Sequence, residues 1–163
     1  MTTDNIFRVL FVCTGNRVRS VMAKAIFDNK LRESETDNIE TDSVGLIRLS
    51  GAKAAENTIT ICAAHGLDVL DHRSQQLDGS HIFQANLILT MEAEQSEYVK
   101  SVYSERSEKI HTLTGYKGEI DSDIHDPFVE GEEEYEKVFL EIESHIMRIM
   151  PLIMTEVGNK ENK

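Results

Sequence analysis

Residues 6–20 read IFRVLFVCTGNRVRS, an apolar run followed directly by a polar loop. The run from Ile6 to Val12 is nearly all β-branched, aromatic or aliphatic, which is typical of a strand buried on both faces of a parallel sheet. The segment from Ser20 to Arg32 repeats apolar residues at helical intervals, and Ser20 is the predicted N-cap. The sequence therefore predicts a strand that ends at Cys13, a tight loop and a helix.

Strands and helices continue to alternate along the rest of the chain. The patterns predict strands at 39–44, 85–90 and 109–113, and helices at 52–65, 92–103 and 132–154. This alternation favours an α/β fold, a three-layer sandwich with a central four-stranded parallel sheet. We expect a single domain over residues 1–157 and a frayed polar tail at 158–163.

The charge balance limits the partners of the protein. The 163 residues include 17 Lys and Arg against 29 Asp and Glu, a net charge of −12. Such a chain repels phosphate backbones, so we expect no nucleic-acid partner and no membrane partner. No apolar run approaches the roughly 18 residues of a membrane span, and the first residues do not resemble a signal peptide. We expect a cytoplasmic monomer or weak dimer.

The cysteines and histidines argue against a metal site. Cys13 and Cys62 are the two cysteines, and no Cys-x-x-Cys pair occurs. The six histidines show no i, i+4 spacing that would place two imidazoles on one helix face. We therefore expect no metal and no cofactor.

The loop after the first strand has the composition of an oxyanion site. Backbone N–H groups of a tight loop and of the following helix N-terminus converge on one point, where they can hold a tetrahedral anion. Gly15 lets the loop turn, and Arg19 adds a planar fork of donors that matches two phosphate oxygens. The predicted phosphate-binding residues are Thr14, Gly15, Asn16, Arg17, Val18, Arg19 and Ser20.

Cys13 lies in the same positive environment as the bound anion. A thiol that faces a helix N-terminus and an arginine ionises readily, so Cys13 is predicted to be a thiolate at neutral pH. Ser20 is predicted to donate a hydrogen bond to that thiolate and to make it a better leaving group. The loop is thus predicted both to bind a phosphate and to attack it.

Four motifs carry a resemblance to a known family. Cys-x5-Arg-Ser follows the N-terminal strand, Ser43-Val44-Gly45 follows the second strand, and His72-Arg73-Ser74 and Asp126-Pro127-Phe128 come later. Their order and spacing over about residues 6 to 155 resemble the low-molecular-weight protein tyrosine phosphatases.

The resemblance implies the low-molecular-weight phosphatase fold and a hydrolase that acts on a phosphorylated protein or peptide through a phosphocysteine. It implies that Cys13 is the nucleophile, that Arg19 binds the phosphate and that Asp126 is the general acid. It further implies that Asn16, Ser20, Ser43 and His72 hold the loop in shape by hydrogen bonds. The family uses no metal.

Position 17 departs from the family pattern. The tyrosine phosphatases that the chain resembles usually carry an apolar residue there and the protein arginine phosphatases a threonine, whereas this chain has Arg17. A cation at this position should disfavour a cationic phosphoarginine side chain. Phe128 instead resembles bacterial members and the arginine phosphatases. Phosphotyrosine and phosphoarginine therefore both stay open as substrates.

Two further functions use the same loop. Arsenate copies the geometry of phosphate, so thiol-dependent arsenate reduction is an alternative, although no cysteine follows Cys62 to resolve the cycle. A non-catalytic phosphoanion-binding module is the other alternative, and it would not need Cys13 and Asp126, which are both present.

Overall fold

A computed structural model describes residues 5–49, 51–118 and 120–162 of the chain. The polar start at residues 1–4 and the last residue of the predicted tail, Lys163, lie outside these ranges. The four strands are β1 (Phe7–Cys13), β2 (Ile39–Gly45), β3 (Leu87–Thr90) and β4 (Ile110–Thr112). The α-helices are α1 (Arg19–Glu33), α2 (Glu56–Ala64), α3 (Gly79–Gln84), α4 (Ala93–Val102) and α5 (Glu132–Glu161), and a 3₁₀ helix covers Ser104–Lys109.

The four strands form one parallel sheet in the order β2-β1-β3-β4. The predicted parallel sheet is therefore confirmed. The chain leaves β1 toward β2 on one side and later returns to add β3 and β4 on the other. Open α/β sheets bind ligands outside the carboxyl ends of the strands at the point where the direction of winding reverses. Cys13, the last residue of β1, lies at this point.

Helices cover both faces of the sheet and create two apolar cores. Phe11 and Leu89 point to the face covered by α1, α2 and α5, where Phe27 and Phe139 are fully buried. Val12 and Ile88 point to the opposite face, where they pack with Ile82 of α3 and Val99 of α4. Both faces of β1 and β3 are buried, which explains their nearly continuous apolar sequences. The predicted three-layer sandwich is confirmed.

Helix boundaries differ most from the predicted ones at the start of α2 and at the end of α5. The predicted helix at 52–65 begins at Glu56, because the preceding backbone is tied to other segments: the N–H of Ala55 donates to the carbonyl of Arg17 at 3.0 Å. The last helix continues to Glu161 rather than ending at Met154, so most of the predicted frayed tail is helical.

Two short helices were absent from the predictions. Helix α3 has only six residues, too few to show a helical period, and Asp78 caps it by accepting from the N–H groups of Ser80 and His81. The 3₁₀ helix leads directly into β4. In the part of the chain that the structure describes, no helix is long and apolar enough to span a membrane.

Candidate active site

The loop at 14–18 connects the carboxyl end of β1 to the first turn of α1. Its close packing against the end of β2 depends on Gly45, because a Cβ there would lie 2.9 Å from the carbonyl oxygen of Thr14 and 3.0 Å from the nitrogen of Asn16. This contact explains why the predicted Ser43-Val44-Gly45 motif ends in glycine. The loop is thus shaped by a neighbouring strand as well as by its own sequence.

Cys13 is 3% exposed and lies inside the loop. Its Sγ accepts the N–H of Asn16 at 3.3 Å and lies 3.0 Å from the Oγ of Ser20. Ser20 Oγ itself accepts a hydrogen bond from Asn16 Nδ2 at 2.8 Å, which leaves the hydroxyl proton of Ser20 available to the sulfur. The sulfur therefore has two donors, which are suited to a thiolate.

Ser20 is not the N-cap of the first helix. Helix α1 begins at Arg19, and Val18 occupies the cap position without a side-chain hydrogen bond. The hydroxyl of Ser20 is directed instead to Cys13 and Asn16. The predicted cap was wrong, while the predicted contact between Ser20 and the sulfur is present.

Asn16 is the centre of the hydrogen-bond network behind the loop. It is fully buried with a φ of 53°, a left-handed conformation that asparagine tolerates better than most residues. Its Nδ2 also donates to Ser43 Oγ at 3.0 Å, its Oδ1 accepts the N–H of Gln75 at 3.0 Å, and its carbonyl accepts His72 Nε2 at 2.7 Å. Burial lowers the pKa of His72, which favours the neutral ring.

Arg19 is 1% exposed, and its guanidinium is fixed from three directions. One terminal nitrogen donates to the carbonyl of Ile124 at 2.8 Å and to the carboxylate of Glu92, and the other donates to Asp126 Oδ2 at 3.2 Å. The predicted pair of Arg19 and Asp126 is thus in contact. Glu92 was not among the predicted site residues.

The position of Glu92 in the chain provides a sequence signal for its role. It follows β3 by two residues and therefore lies at the carboxyl end of the sheet, beside Cys13. Gln95 lies in α4, the helix that begins directly after Glu92, and donates to Thr14 Oγ1 at 3.1 Å. Carboxyl ends of adjacent parallel strands meet at one edge, so polar residues after each strand were candidates.

Asp126 lies at the mouth of a cavity of about 120 Å³ beside the loop. Its side chain is 41% exposed, and its Oδ1 accepts the N–H of Phe128 at 3.2 Å. The cavity is lined by Cys13 and Asp126 and by five of the seven predicted phosphate-binding residues, namely Thr14, Gly15, Arg17, Val18 and Arg19. Asn16, Ser20, Ser43 and His72 support the loop from behind.

The outer wall of this cavity is partly apolar. Ile47, Leu49 and Phe128 line it and are each 40% exposed or more. Within the described residues, the backbone N–H groups of Gly15, Arg17 and Val18 have no acceptor in the protein. The arrangement can hold a tetrahedral oxyanion at the bottom, against the sulfur, and an apolar group at the entrance.

Arg17 lies on the rim with a fixed orientation. Its Nε donates to the carbonyl of Lys53 at 2.9 Å, and its guanidinium lies 5.5 Å from the centroid of the Phe128 ring. Its own carbonyl accepts the hydroxyl of Thr58 at 3.0 Å. Arg17 is therefore held over the entrance by contacts to two other loops.

Over residues 5–49, 51–118 and 120–162, no group of three or more His, Cys, Asp or Glu side chains is placed to hold a metal ion. Cys62 lies in the core of the larger helical layer, where burial raises the pKa of its thiol to about 12.

Comparison with known proteins agrees with this geometry. A protein-arginine-phosphatase of Geobacillus stearothermophilus is 33% identical over 150 residues, which cover 92% of this chain and 98% of the relative. A probable low molecular weight protein-tyrosine-phosphatase of Ralstonia nicotianae is 36% identical over 121 residues, 74% of this chain and 77% of the relative.

Solved structures give the same result. The crystal structure of a low molecular weight protein tyrosine phosphatase from T. tengcongensis is similar, with a TM-score of 0.85, 32% identity, and coverage of 89% of this chain and 98% of that one. The model of the low molecular weight phosphotyrosine protein phosphatase family matches residues 8–162. The loop at Cys13, the parallel sheet that carries it and these similarities together establish that the chain belongs to the low molecular weight phosphotyrosine protein phosphatase family.

Proposed function

We propose that this protein phosphatase removes the phosphoryl group from its substrate through a covalent phosphocysteine on Cys13. One observation supports this most strongly: the sulfur of Cys13, the guanidinium of Arg19 and the carboxylate of Asp126 surround a single cavity of about 120 Å³. The nucleophile, the anion-binding group and the proton donor of a phosphoryl transfer are thereby within reach of one phosphate.

In the first step, the sulfur–phosphorus bond forms as the bond from phosphorus to the leaving oxygen breaks. Protonated Asp126 gives its proton to that oxygen, so the alcohol leaves neutral. The N–H groups of Gly15, Arg17 and Val18 and the Arg19 guanidinium stabilise the charge on the equatorial oxygens. Arg19 is already oriented by Glu92 and the Ile124 carbonyl, which lowers the cost of ordering it for the transition state.

In the second step, water attacks the phosphocysteine. The carboxylate of Asp126 accepts a proton from that water as the new oxygen–phosphorus bond forms, and the sulfur–phosphorus bond breaks to release inorganic phosphate. Ser20, 3.0 Å from the sulfur, stabilises the departing thiolate with its hydroxyl proton. The cycle ends with Cys13 as a thiolate and Asp126 protonated.

Hydrolysis of para-nitrophenyl phosphate by the purified protein at mildly acidic pH tests this mechanism. Cys13→Ser should abolish turnover, and Asp126→Asn should lower kcat by about 10²- to 10⁴-fold. Asp71→Asn, which changes an exposed carboxylate outside the cavity, is the matched control and should leave kcat unchanged. Full activity in Cys13→Ser would refute the proposed nucleophile, and binding of phosphate without any turnover would favour the non-catalytic module.

The rim favours phosphotyrosine as the substrate over phosphoarginine. Ile47, Leu49 and Phe128 offer apolar contact to an aromatic ring. Arg17 presents a positive charge at the entrance, where it opposes the guanidinium charge that a phosphoarginine side chain carries. Phosphoarginine is the second candidate, supported by the relative from Geobacillus stearothermophilus, which is a protein-arginine-phosphatase.

Parallel kinetics on phosphotyrosine and phosphoarginine peptides separate these substrates. We expect the wild-type protein to prefer phosphotyrosine, and Arg17→Thr to shift the ratio of the two kcat/KM values toward phosphoarginine by about tenfold. Arg17→Ile removes the same charge but adds apolar contact for an aromatic ring, so its ratio should shift less than that of Arg17→Thr. An unchanged ratio in Arg17→Thr would show that the Arg17 charge does not select the substrate.

The environment of Cys62 argues against arsenate reduction. A resolving thiol must reach the reaction centre, but Cys62 is fully buried in the core and burial raises its pKa to about 12.

We further propose a single-domain cytoplasmic protein that is a monomer or weak dimer. Sedimentation over a range of concentrations tests the oligomeric state.

A further inference from the structure

A second cavity lies at the end of the sheet opposite to Cys13. Its volume is about 600 Å³, within the range of about 300 to 1,000 Å³ that small-molecule sites occupy. Phe7 and Leu87, where β1 and β3 begin, lie in its wall. Because β1 runs from Phe7 to Cys13, the cavity is about 20 Å from the sulfur. It is therefore distinct from the active site.

Three cations line this cavity although the chain is strongly acidic. They are Arg106, Lys109 and Lys117. Among the residues that the structure describes, none of the three forms an ion pair with a carboxylate. Lys109 Nζ donates to the carbonyl of Ala85 at 2.5 Å. Burial, and then the charge of Arg106, lower the pKa of Lys109. A bound anion would therefore stabilise the charged form of Lys109.

Two glutamates also line the cavity and weaken its positive charge only in part. Glu156 forms an ion pair with Lys160 at 3.4 Å and accepts a hydrogen bond from Tyr116 Oη at 3.5 Å, so Lys160 offsets its charge. The charge of Glu108 raises the pKa of Lys109, whereas the charge of Arg106 lowers it. With three cations against one uncompensated carboxylate, the local balance favours an anionic ligand.

Aromatic rings accompany the cations. Phe83 lies at the cavity with 73% of its surface exposed, and the Arg106 guanidinium is 5.6 Å from its centroid. Lys117 Nζ is 5.8 Å from the centroid of Tyr116, which also lines the cavity. An exposed phenyl ring beside a cation offers a stacking surface to a planar group. An inorganic anion would use the cations and leave this surface unused.

We propose that this cavity is a second binding site, for a small planar aromatic molecule that carries a carboxylate or phosphate group. The ring stacks on Phe83, and the acidic group lies between Arg106 and Lys117. The site is independent of the hydrolytic reaction, so neither result depends on the other.

Titration of the ¹⁵N-labelled protein, followed by amide chemical shifts, tests the proposal. Two aromatic acids, naphthalene-2-carboxylate and 2-naphthylphosphonate, distinguish a carboxylate from a phosphate-like group. Inorganic phosphate lacks the ring and 2-naphthylmethanol lacks the charge. Orthovanadate occupies the active site throughout. At least one of the two naphthyl acids should shift the amide signals of residues 83–87 and 106–117 until the shifts saturate. Inorganic phosphate and 2-naphthylmethanol should each bind at least about tenfold more weakly.

Variants locate the two halves of the site. Arg106→Gln combined with Lys117→Gln should weaken binding of the naphthyl acid at least about tenfold, and Phe83→Ser should weaken it about threefold to tenfold. Lys137→Gln, an exposed lysine on α5 that pairs with Glu134, is the matched control and should leave binding unchanged. All variants should keep wild-type phosphatase activity, which reports on folding. Shifts confined to residues 13–20, or equal affinity in the double variant and the wild type, would overturn the proposal.

Discussion

The two cysteines of this protein are both buried, yet their surroundings are opposite. Cys13 is 3% exposed and its sulfur has donors from Asn16 and Ser20, whereas Cys62 is fully buried on α2 among apolar side chains. Burial without donors raises the pKa of Cys62 to about 12. Burial therefore does not distinguish the two thiols, which differ in the hydrogen-bond donors that surround the sulfur.

The largest expected difference between the two thiols is in catalysis. Cys13→Ser should lower kcat for para-nitrophenyl phosphate by at least about 10⁴-fold, because a serine hydroxyl is a much weaker nucleophile and a much poorer leaving group than a thiolate. Cys62→Ala should retain wild-type kcat, with circular dichroism to confirm the fold. A comparable loss in both variants would show that the two thiols do not differ in their role in catalysis.

Alkylation by iodoacetamide at pH 7 tests the same contrast without substrate. A pKa of about 12 leaves only about one Cys62 thiol in 10⁵ ionised, so Cys13 should react at least about 10³-fold faster. Inorganic phosphate should protect Cys13 and leave the modification of Cys62 unchanged. Mass spectrometry of the digested protein identifies the modified site, and unfolding in urea should make the two rates similar. Equal rates in the folded protein would contradict the prediction.

The hydrogen-bond network around Asn16 supports the loop at Cys13, whereas Cys62 lies among apolar side chains. Asn16→Ala removes the side-chain bonds to Ser20, Ser43 and Gln75, and we expect kcat to fall by about 10²-fold as the loop loses its geometry. Alanine at a φ of 53° should also cost about 1 to 2 kcal/mol of unfolding free energy.

Asn16→Gly is the control for that strain. Glycine tolerates the left-handed conformation, so it should recover part of the unfolding free energy measured by urea titration but little of the kcat. Recovery of activity in the glycine variant would indicate that backbone conformation, rather than the hydrogen bonds, supports the loop.

The smallest expected effect is the pH dependence of stability at His72. Burial lowers its pKa below the ordinary 6.5, so the unfolded chain binds more protons between the folded pKa and about 6.5. The stability contribution is therefore complete above about pH 6.5 and is lost as the pH falls through this window. His72→Gln should flatten the dependence of unfolding free energy on pH between these limits.

His111→Gln provides the matched control, because burial also lowers the pKa of His111. Both variants should flatten the stability curve, but only His72→Gln should lower kcat, since His72 donates to the carbonyl of Asn16 in the loop. If neither variant changes the dependence of the unfolding free energy on pH, burial does not lower the pKa values of these two histidines.

Features that depend on residues close together in the sequence were predicted correctly, whereas features that depend on contacts between distant segments were not. The parallel sheet and the loop between β1 and α1 were predicted because their signals lie within a few residues of each other. The start of α2 was misplaced, since the backbone at Ala55 bonds to Arg17 in a distant loop. Helix α3 was missed because six residues show no period and its cap at Asp78 was not recognised.

Residues 13–20 alone were sufficient to indicate an anion site with a nucleophile, because the sulfur, the loop amides and the arginine are contiguous in the chain. The same eight residues do not indicate which groups orient the arginine. Glu92, the carbonyl of Ile124 and Asp126 come from segments about 70 to 110 residues away, and the carbonyl of Lys53 holds Arg17 on the rim. These partners meet because parallel strands end at one edge of the sheet, a relation that exists only once the chain has folded.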